Sequence, residues 1–252
     1  MSATGVVAAL EFEAQCLGAR RRRVGGLSCL GDGSLVSVSG VGGDSAAHAA
    51  RDLVAAGVGA LLSWGVAGGL DPALGRGAVL LPAEVLRPAA GGGPLPLQRF
   101  ATCRSWRARL DAALAPRVRV ACGALLTSAL PLGTAQIKAQ MFQETRAVAI
   151  DMESAAVAAV AADHGLPFVA LRVILDTARD SLPASLLHGL EPAPGARTRS
   201  RAWSLLRPLL LAPADWGALL RLAAQYRLAR RALHDCARRA EPTRRARLVA
   251  GG

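Results

Sequence analysis

The chain has 252 residues, 52% of them hydrophobic, enough to bury the core of one large α/β domain and to exclude disorder over most of its length. The formal net charge of +12 favours anionic partners, but arginines crowd Arg20–Arg23 and the stretch from Arg197 to Arg247, whereas Asp44 to Gly75 holds only Arg51, so the surplus is mostly terminal. Five scattered cysteines without a C-x-x-C pair, and four dispersed histidines, predict buried thiols in a reducing compartment and no metal site.

In chain order, Gly5–Leu10 has the length and apolar run of a buried parallel strand and ends directly in Glu11-Phe-Glu13. No charged segment followed by a long apolar run precedes it, so no secretion signal is expected and the location is expected to be the cytoplasm. Leu35–Val41 predicts a second strand, leading through Gly40-Val-Gly-Gly43 into an alanine-rich helix, Ser45–Ala56, closed by Gly57. The uncharged run Leu53–Leu70 has the minimum length of a membrane span, but its glycines divide it into a helix end, a strand at Ala60–Ser63 and a loop at Gly65–Pro72.

A further strand is expected at Ala78–Leu81, a Pro- and Gly-rich surface excursion over residues 87–98, and a helix around Trp106–Leu114. Arg119–Leu126 predicts a strand, Thr134–Glu144 a helix, Ala147–Ile150 a strand, Ser154–Asp163 a helix with Gly165 just past its end, and Phe168–Leu175 a strand ending at Asp176. Alternation of this kind argues for an α/β fold with a mostly parallel central sheet and helices on both faces. From Ser181 the character changes: Pro183, Pro192, Pro194 and Gly195 predict a linker, then come Trp203–Leu211 and a long helix, Asp215–Ala237. That helix sets Leu219, Leu222, Ala223, Tyr226 and Leu233 on one side with arginines 221, 227, 230, 231 and 238 around them, a basic amphipathic C-terminal extension. The chain therefore divides into a catalytic region, 1–180, and an extension, 181–252.

Ligands of open parallel sheets bind beyond the carboxyl ends of the strands. Those ends here hold Glu13, the loop Ser63–Gly69, Asp151-Met-Glu153 and Asp176. Each acid has an ordinary structural reading: Glu13 in the first turn of a helix, Asp151 as a helix cap, Asp176 in a turn. Carboxylates converging on one sheet edge nevertheless repel one another, which points to a task or a counter-charge.

The segments Ala147-Val-Ala-Ile-Asp-Met-Glu-Ser-Ala-Ala156, Gly165-Leu-Pro-Phe-Val169 and Leu171-Arg-Val-Ile-Leu-Asp176 resemble the signature of the methylthioadenosine/S-adenosylhomocysteine nucleosidase and nucleoside phosphorylase superfamily. Ala9-Leu-Glu-Phe-Glu13 and Gly65-Val-Ala-Gly-Gly-Leu-Asp-Pro72 match its other two motifs, and the resemblance covers about residues 5 to 180. Within it, Gly69-Leu-Asp-Pro-Ala-Leu74, Asp151-Met-Glu-Ser154 and the basic, Leu-rich extension after Asp176–Pro183 resemble the hopanoid-associated phosphorylases, which release adenine from adenosylhopane.

The resemblance implies cleavage of the N-glycosidic bond of an adenine nucleoside, with no cofactor, no metal, and inorganic phosphate as co-substrate. It casts Asp176 as the acid that protonates purine N7, Glu153 as the anchor of the ribose hydroxyls with Met152 on the sugar, and Glu13 as the group that orients water in the nucleosidases. Val66, Ala67 and Gly68 would meet the substrate, and Ser63 and Gly42 the phosphate. Two departures bear on this: Ser63 and Val66 stand where hexameric bacterial purine nucleoside phosphorylases carry a phosphate-binding arginine and a serine, and Leu175 stands where many relatives have a serine before the catalytic aspartate.

The implied partners are a small or lipid-linked nucleoside and further copies of the chain in a homo-oligomer. The C-terminal helix suits a docked element or peripheral contact with the inner membrane face, and nucleic acid is not expected. Two alternatives remain open at this point: a hydrolytic methylthioadenosine/S-adenosylhomocysteine nucleosidase, and a noncatalytic membrane-associated nucleoside-binding protein.

Overall fold

The computed structural model describes residues 3–19, 23–24, 26–89, 96–181 and 216–243. Its centre is formed by strands β1 (Thr4–Ala8), β5 (Ala60–Gly69) and β12 (Phe168–Asp176), nearly all of whose residues are buried. Burial on both faces is why these strands read as continuous apolar runs instead of alternating. β5 pairs in parallel with β1, Thr4–Ala8 against Ala60–Trp64, and with β12, Phe168–Asp176 against Leu61–Gly68.

Beyond β1 the sheet continues through parallel β4 (Leu35–Val38) to antiparallel β3 (Leu27–Cys29) and β2 (Arg23–Val24). On the other side, the end of β5 meets β11 (Ala147–Asp151) antiparallel at Gly68 and Gly69. From there parallel β10 (Ala124–Thr127) and β7 (Glu84–Pro88) lead to antiparallel β8 (Leu97–Ala101). Two short strands, β6 (Val79–Leu80) and β9 (Val120–Ala121), extend from β12.

Three expectations about strands change. The stretch Gly65–Gly69, expected as a loop, continues β5, because β12 on one side and β11 on the other pair with its backbone. Its glycines serve close approach and do not break the strand. The surface excursion at 87–98 contains ordered arms, β7 and β8, paired from Glu84↔Ala101 to Pro88↔Leu97. The strand expected over 119–126 divides at Cys122 and Gly123 into β9 and β10.

Helices cover both faces. α2 (Gly43–Ala55) and α5 (Ser154–Asp163) pack on one, where Ala46, Ala49 and Ala50 meet a core that includes Ala155 and Ala158. Small side chains let these helices lie close to each other and to the sheet. The opposite face carries α1 (Glu11–Cys16), α3 (Arg104–Leu114) and α6 (Trp216–Ala240). α4 (Ala135–Thr145) starts at Thr134, whose hydroxyl accepts the Ile137 N–H, and packs Met141 and Phe142 against Leu126 and Ile150.

α6 answers one question about the basic tail. Ala229, Leu233, Cys236 and Ala240, at helical spacing, are buried in the same core as Phe12, Trp106 and Leu110, while Arg227, Arg230, Arg231 and Arg238 face out. The Tyr226 ring lies on Phe12 with centroids 4.2 Å apart. Past the helix, the Trp106 indole N–H donates to the Pro242 carbonyl at 3.0 Å and the Thr4 hydroxyl to the Thr243 carbonyl at 2.7 Å, fastening this end to α3 and β1. The apolar stripe of this half of the helix is thus docked on the domain. Pro183–Gly195 and Trp203–Leu211 lie outside the described residues, and no helix among the described residues is long and apolar enough to cross a membrane.

If α6 is a structural part of the domain, Leu233→Ala leaves a core cavity and lowers the unfolding free energy by about 2–5 kcal/mol. Chemical denaturation measures this, and an unchanged midpoint would place α6 outside the cooperative unit.

Candidate active site

Strand ends β1, β5, β11 and β12 and the loop before α4 enclose a cavity of about 210 Å³. Its walls bring together Glu13, Val66, Ala67, Gly68, Lys138, Asp151, Met152, Glu153 and Asp176, with Leu10, Leu130 and Leu132 at the apolar side. Glu13, Glu153 and Asp176, far apart in sequence, converge here because each follows or ends a strand of the same sheet.

Glu13 enters from the first turn of α1. Its Oε2 accepts the Leu10 N–H at 2.9 Å and its Oε1 the Val66 N–H, also at 2.9 Å, while its own carbonyl accepts the Trp64 indole N–H. The carboxylate rests against Gly65, whose φ is +158°; a Cβ there would lie 2.7 Å from Glu13 Cδ, so only glycine leaves room for it. Burial raises the Glu13 pKa, opposed by the nearby Arg172 guanidinium and the backbone donors.

Glu153 stands at the start of α5, with Oε1 accepting the Gly42 N–H at 2.8 Å and Oε2 the Met152 N–H at 3.3 Å. Burial, reinforced by the Asp151 charge, pushes its pKa up to about 7 against the pull of Arg172. Asp176, at the end of β12, is buried and ion-paired to Lys138, whose Nζ also donates to the Thr177 carbonyl at 2.9 Å. Burial raises the Asp176 pKa and the Lys138 charge opposes it. Gly68 faces this carboxyl: a Cβ there would sit 3.4 Å from both of its oxygens. The turn after β12 is held by Asp180, which accepts from the Thr177 N–H and hydroxyl and pairs with Arg76.

Asp151 has a structural part. Its Oδ1 accepts the Thr127 hydroxyl at 2.7 Å, its Oδ2 accepts Arg172 Nε at 2.9 Å, and both oxygens receive the Ser154 N–H that opens α5. Asp151 thus supports the start of α5 from just before it, while the cap position expected of it is occupied by Glu153. Arg172 Nη2 donates further to Ser63 Oγ at 2.6 Å and Ser154 Oγ at 2.9 Å, closing a fully buried polar network. Of the two residues expected at phosphate, Ser63 has no exposed surface and accepts from Arg172, and the Gly42 N–H donates to Glu153.

Residues 10–207 match the family model of the phosphorylase superfamily. The chain belongs to that superfamily. No curated protein sequence matches it, yet its fold resembles solved members closely. A Helicobacter pylori methylthioadenosine nucleosidase variant with 5′-methylthioadenosine in its active site is 21% identical, with a TM-score of 0.64 over 83% of this chain and 100% of that one. The Neisseria meningitidis methylthioadenosine/S-adenosylhomocysteine nucleosidase bound to methylthio-immucillin-A is 19% identical, TM-score 0.65, covering 94% and 98%. Native futalosine hydrolase of H. pylori is 16% identical, TM-score 0.67, covering 95% and 96%.

Two site residues escaped the sequence reading. Arg172 had a signal: a charge inside the apolar run Phe168–Leu175 must find a buried partner. Lys138 had a subtler one, being the only lysine in a chain otherwise supplied with arginine. In this superfamily member both set the charge of the acidic site.

The Glu153 shift fixes a sign. An acid whose pKa is raised on folding adds stability below its ordinary pKa of 4.5 and loses it as pH rises through about 7. Glu153→Gln, which does not titrate, is therefore expected to be more stable than the parent at pH 8.5, by on the order of 2–3 kcal/mol at most. Melting curves at that pH and near pH 5, where the gain should shrink, check the expectation. Arg172→Met strands the buried Asp151 charge and should cost about 3–5 kcal/mol, read from the denaturation midpoint.

Proposed function

We propose that this enzyme hydrolyses the N-glycosidic bond of an adenine nucleoside that carries an apolar 5′ substituent. The observation that carries the reading is Glu13: a buried carboxylate with a raised pKa, locked by two backbone donors on the cavity wall. Such a group is suited to take a proton from water. Among the described residues the only cationic side chain on that wall is Lys138, and it is paired with Asp176. A phosphate dianion at the sugar would instead face Glu13 and Glu153, with the Arg172 charge that acts on both already engaged by Asp151, which favours water as nucleophile.

In the proposed reaction, Glu153 accepts from the ribose hydroxyls with Met152 against the sugar, and the β5 segment Val66–Gly68 lies along the base. Water held by Glu13 attacks C1′ and passes a proton to Glu13. The C1′–N9 bond breaks, and its electron pair leaves with the purine as Asp176 delivers a proton to N7. Charge that develops on the departing base is thereby neutralised where it appears. The solved relatives with 5′-methylthioadenosine or its analogue bound give the same direction of reading.

The apolar substituent is inferred from the rim. Leu10 and Leu130, 38% and 53% exposed, stand at the mouth, and a second cavity of about 330 Å³, bounded by Pro88, Met141 and Thr145, shares Leu130, Leu132 and Ile150 with the first. Adenosylhopane, named by the resemblance to hopanoid-associated phosphorylases, fits that description, as does methylthioadenosine. A lipid-linked substrate would bring the protein to the membrane surface, with the arginines of α6 available to anionic headgroups.

Adenine release is measured from adenosylhopane in detergent and from methylthioadenosine, each with and without inorganic phosphate. Release in phosphate-free buffer, with free sugar as product, is expected, and Glu13→Gln should lower kcat by about 10²–10⁴. Release that needs phosphate and yields a sugar 1-phosphate would replace hydrolysis by phosphorolysis. Stabilisation by nucleosides without turnover of either substrate would point to a binding protein.

A further inference from the structure

An acid that must donate a proton is held next to an ammonium group, and the two requirements conflict. Lys138 is only 1% exposed in its side chain, and it reaches from α4 across the cavity wall to Asp176. A lysine this deep has lost its hydration shell, so an aspartate and a carbonyl are what keep its charge in place. An ionised Asp176 cannot protonate a purine, while a neutral Asp176 would leave a buried ammonium without a counter-charge. The charge-separated pair and the neutral pair, amine plus carboxylic acid, contain the same number of protons and differ only in where one of them sits.

Resting on the glycosidic-bond reading above, we propose that the Lys138–Asp176 pair stores the single proton that goes to the departing base, with Lys138 as its holder. Before reaction the proton is on Lys138 Nζ and Asp176 is a carboxylate. Substrate entering the cavity displaces water from the pair, which weakens the preference for separated charges. As the C1′–N9 bond breaks, N7 gains basicity; the proton moves from Nζ to the Asp176 carboxyl and from that carboxyl to N7. Lys138 is left as the neutral amine, Asp176 returns to carboxylate, and the proton taken from water by Glu13 balances the one delivered. When products leave, the lysine recovers its proton from solvent. Lys138 acts through Asp176 and is a positioning residue.

The surrounding charges are arranged so that the pair exchanges its proton with little else. Asp180, whose charge acts on both members of the pair, is engaged by Thr177 and Arg76. Asp151 is bound by Arg172. Glu13 and Glu153 line the same cavity but bind backbone N–H groups of Leu10 and Val66, and of Gly42 and Met152. Among the described residues Nζ has Asp176 and the Thr177 carbonyl as its partners, which engage two of its three protons.

Two measurements test the proposal. Because the chain has one lysine, incorporation of lysine labelled with carbon-13 at Cε gives a single side-chain resonance that reports the charge of Lys138 directly. In Asp176→Asn the counter-charge is gone and the burial is not, so that resonance should change to the neutral-amine position at lower pH than in the parent protein. An unmoved midpoint would overturn the pairing, whatever the reaction turns out to be.

Kinetics then separate storage of a proton from simple support. A guanidinium keeps its proton throughout the accessible pH range, so Lys138→Arg should hold Asp176 ionised and lower kcat by about 10²-fold or more with KM little changed. Lys138→Met removes the counter-charge, lets burial keep the proton on Asp176 itself, and should retain more activity, with the alkaline limb of its pH profile shifted upward. A merely structural ion pair gives the reverse order, Arg close to the parent and Met impaired, and that order overturns the proposal. Failure of the parent protein to release adenine would refute the glycosidic reading and leave the resonance test of the pair standing.

Discussion

Burying Arg172 in the middle of a central strand is the constraint on which the rest of the site depends. A guanidinium cannot give up its charge, so the fold must surround it with acceptors. It does so with Asp151 from β11, Ser63 from β5 and Ser154 from α5, so that one side chain ties three strands and a helix at the sheet edge that carries the candidate site. The same positive charge opposes the rise in pKa of both Glu13 and Glu153. Without it, acids gathered in one cavity would be more strongly driven to protonate. Structure and chemistry are therefore set by one electrostatic arrangement.

The acids around the cavity are chemically alike and are made different by their partners. Asp151 faces Arg172 and Thr127 and belongs to the scaffold. Glu13 is held by backbone N–H groups, which favour the carboxylate without fixing a compensating full charge beside it. Glu153 has similar donors but a like-charged neighbour, and its pKa of about 7 puts it at the edge of ionisation near neutral pH. Asp176 alone has an ammonium partner. Separation by environment of this kind is what the proposed assignment of a base, an anchor and an acid to one pocket draws on.

The C-terminal helix shows how an amphipathic pattern underdetermines its use. A stripe of apolar residues rimmed by arginine suits a membrane surface and a protein core equally well, since both bury the stripe and leave the charges wet. In the half of α6 from Tyr226 onward the stripe is taken up by Phe12, Trp106 and Leu110, and the tail after it is fastened to α3 and β1. The arginines remain outside, where they set the surface charge without stabilising the fold by much.

The alternation of the central strands and helices, the α/β class and the convergence of Glu13, Glu153 and Asp176 at one sheet edge were legible in the sequence, whereas the outer strands β2, β3, β7 and β8 were not. Apolar periodicity and strand-end position are local properties, and they carry that much. Local pattern could not say that the glycines of Gly65–Gly69 extend β5, since a glycine that breaks a strand and one that lets a carboxylate lie against it look alike until the neighbour is known. Nor could it assign Ser63 to Arg172 or Lys138 to Asp176, pairs separated by 109 and 38 positions in the chain. Which charge faces which is decided by tertiary packing, because electrostatic energy depends on distance and burial in space, and neither is a function of distance along the chain.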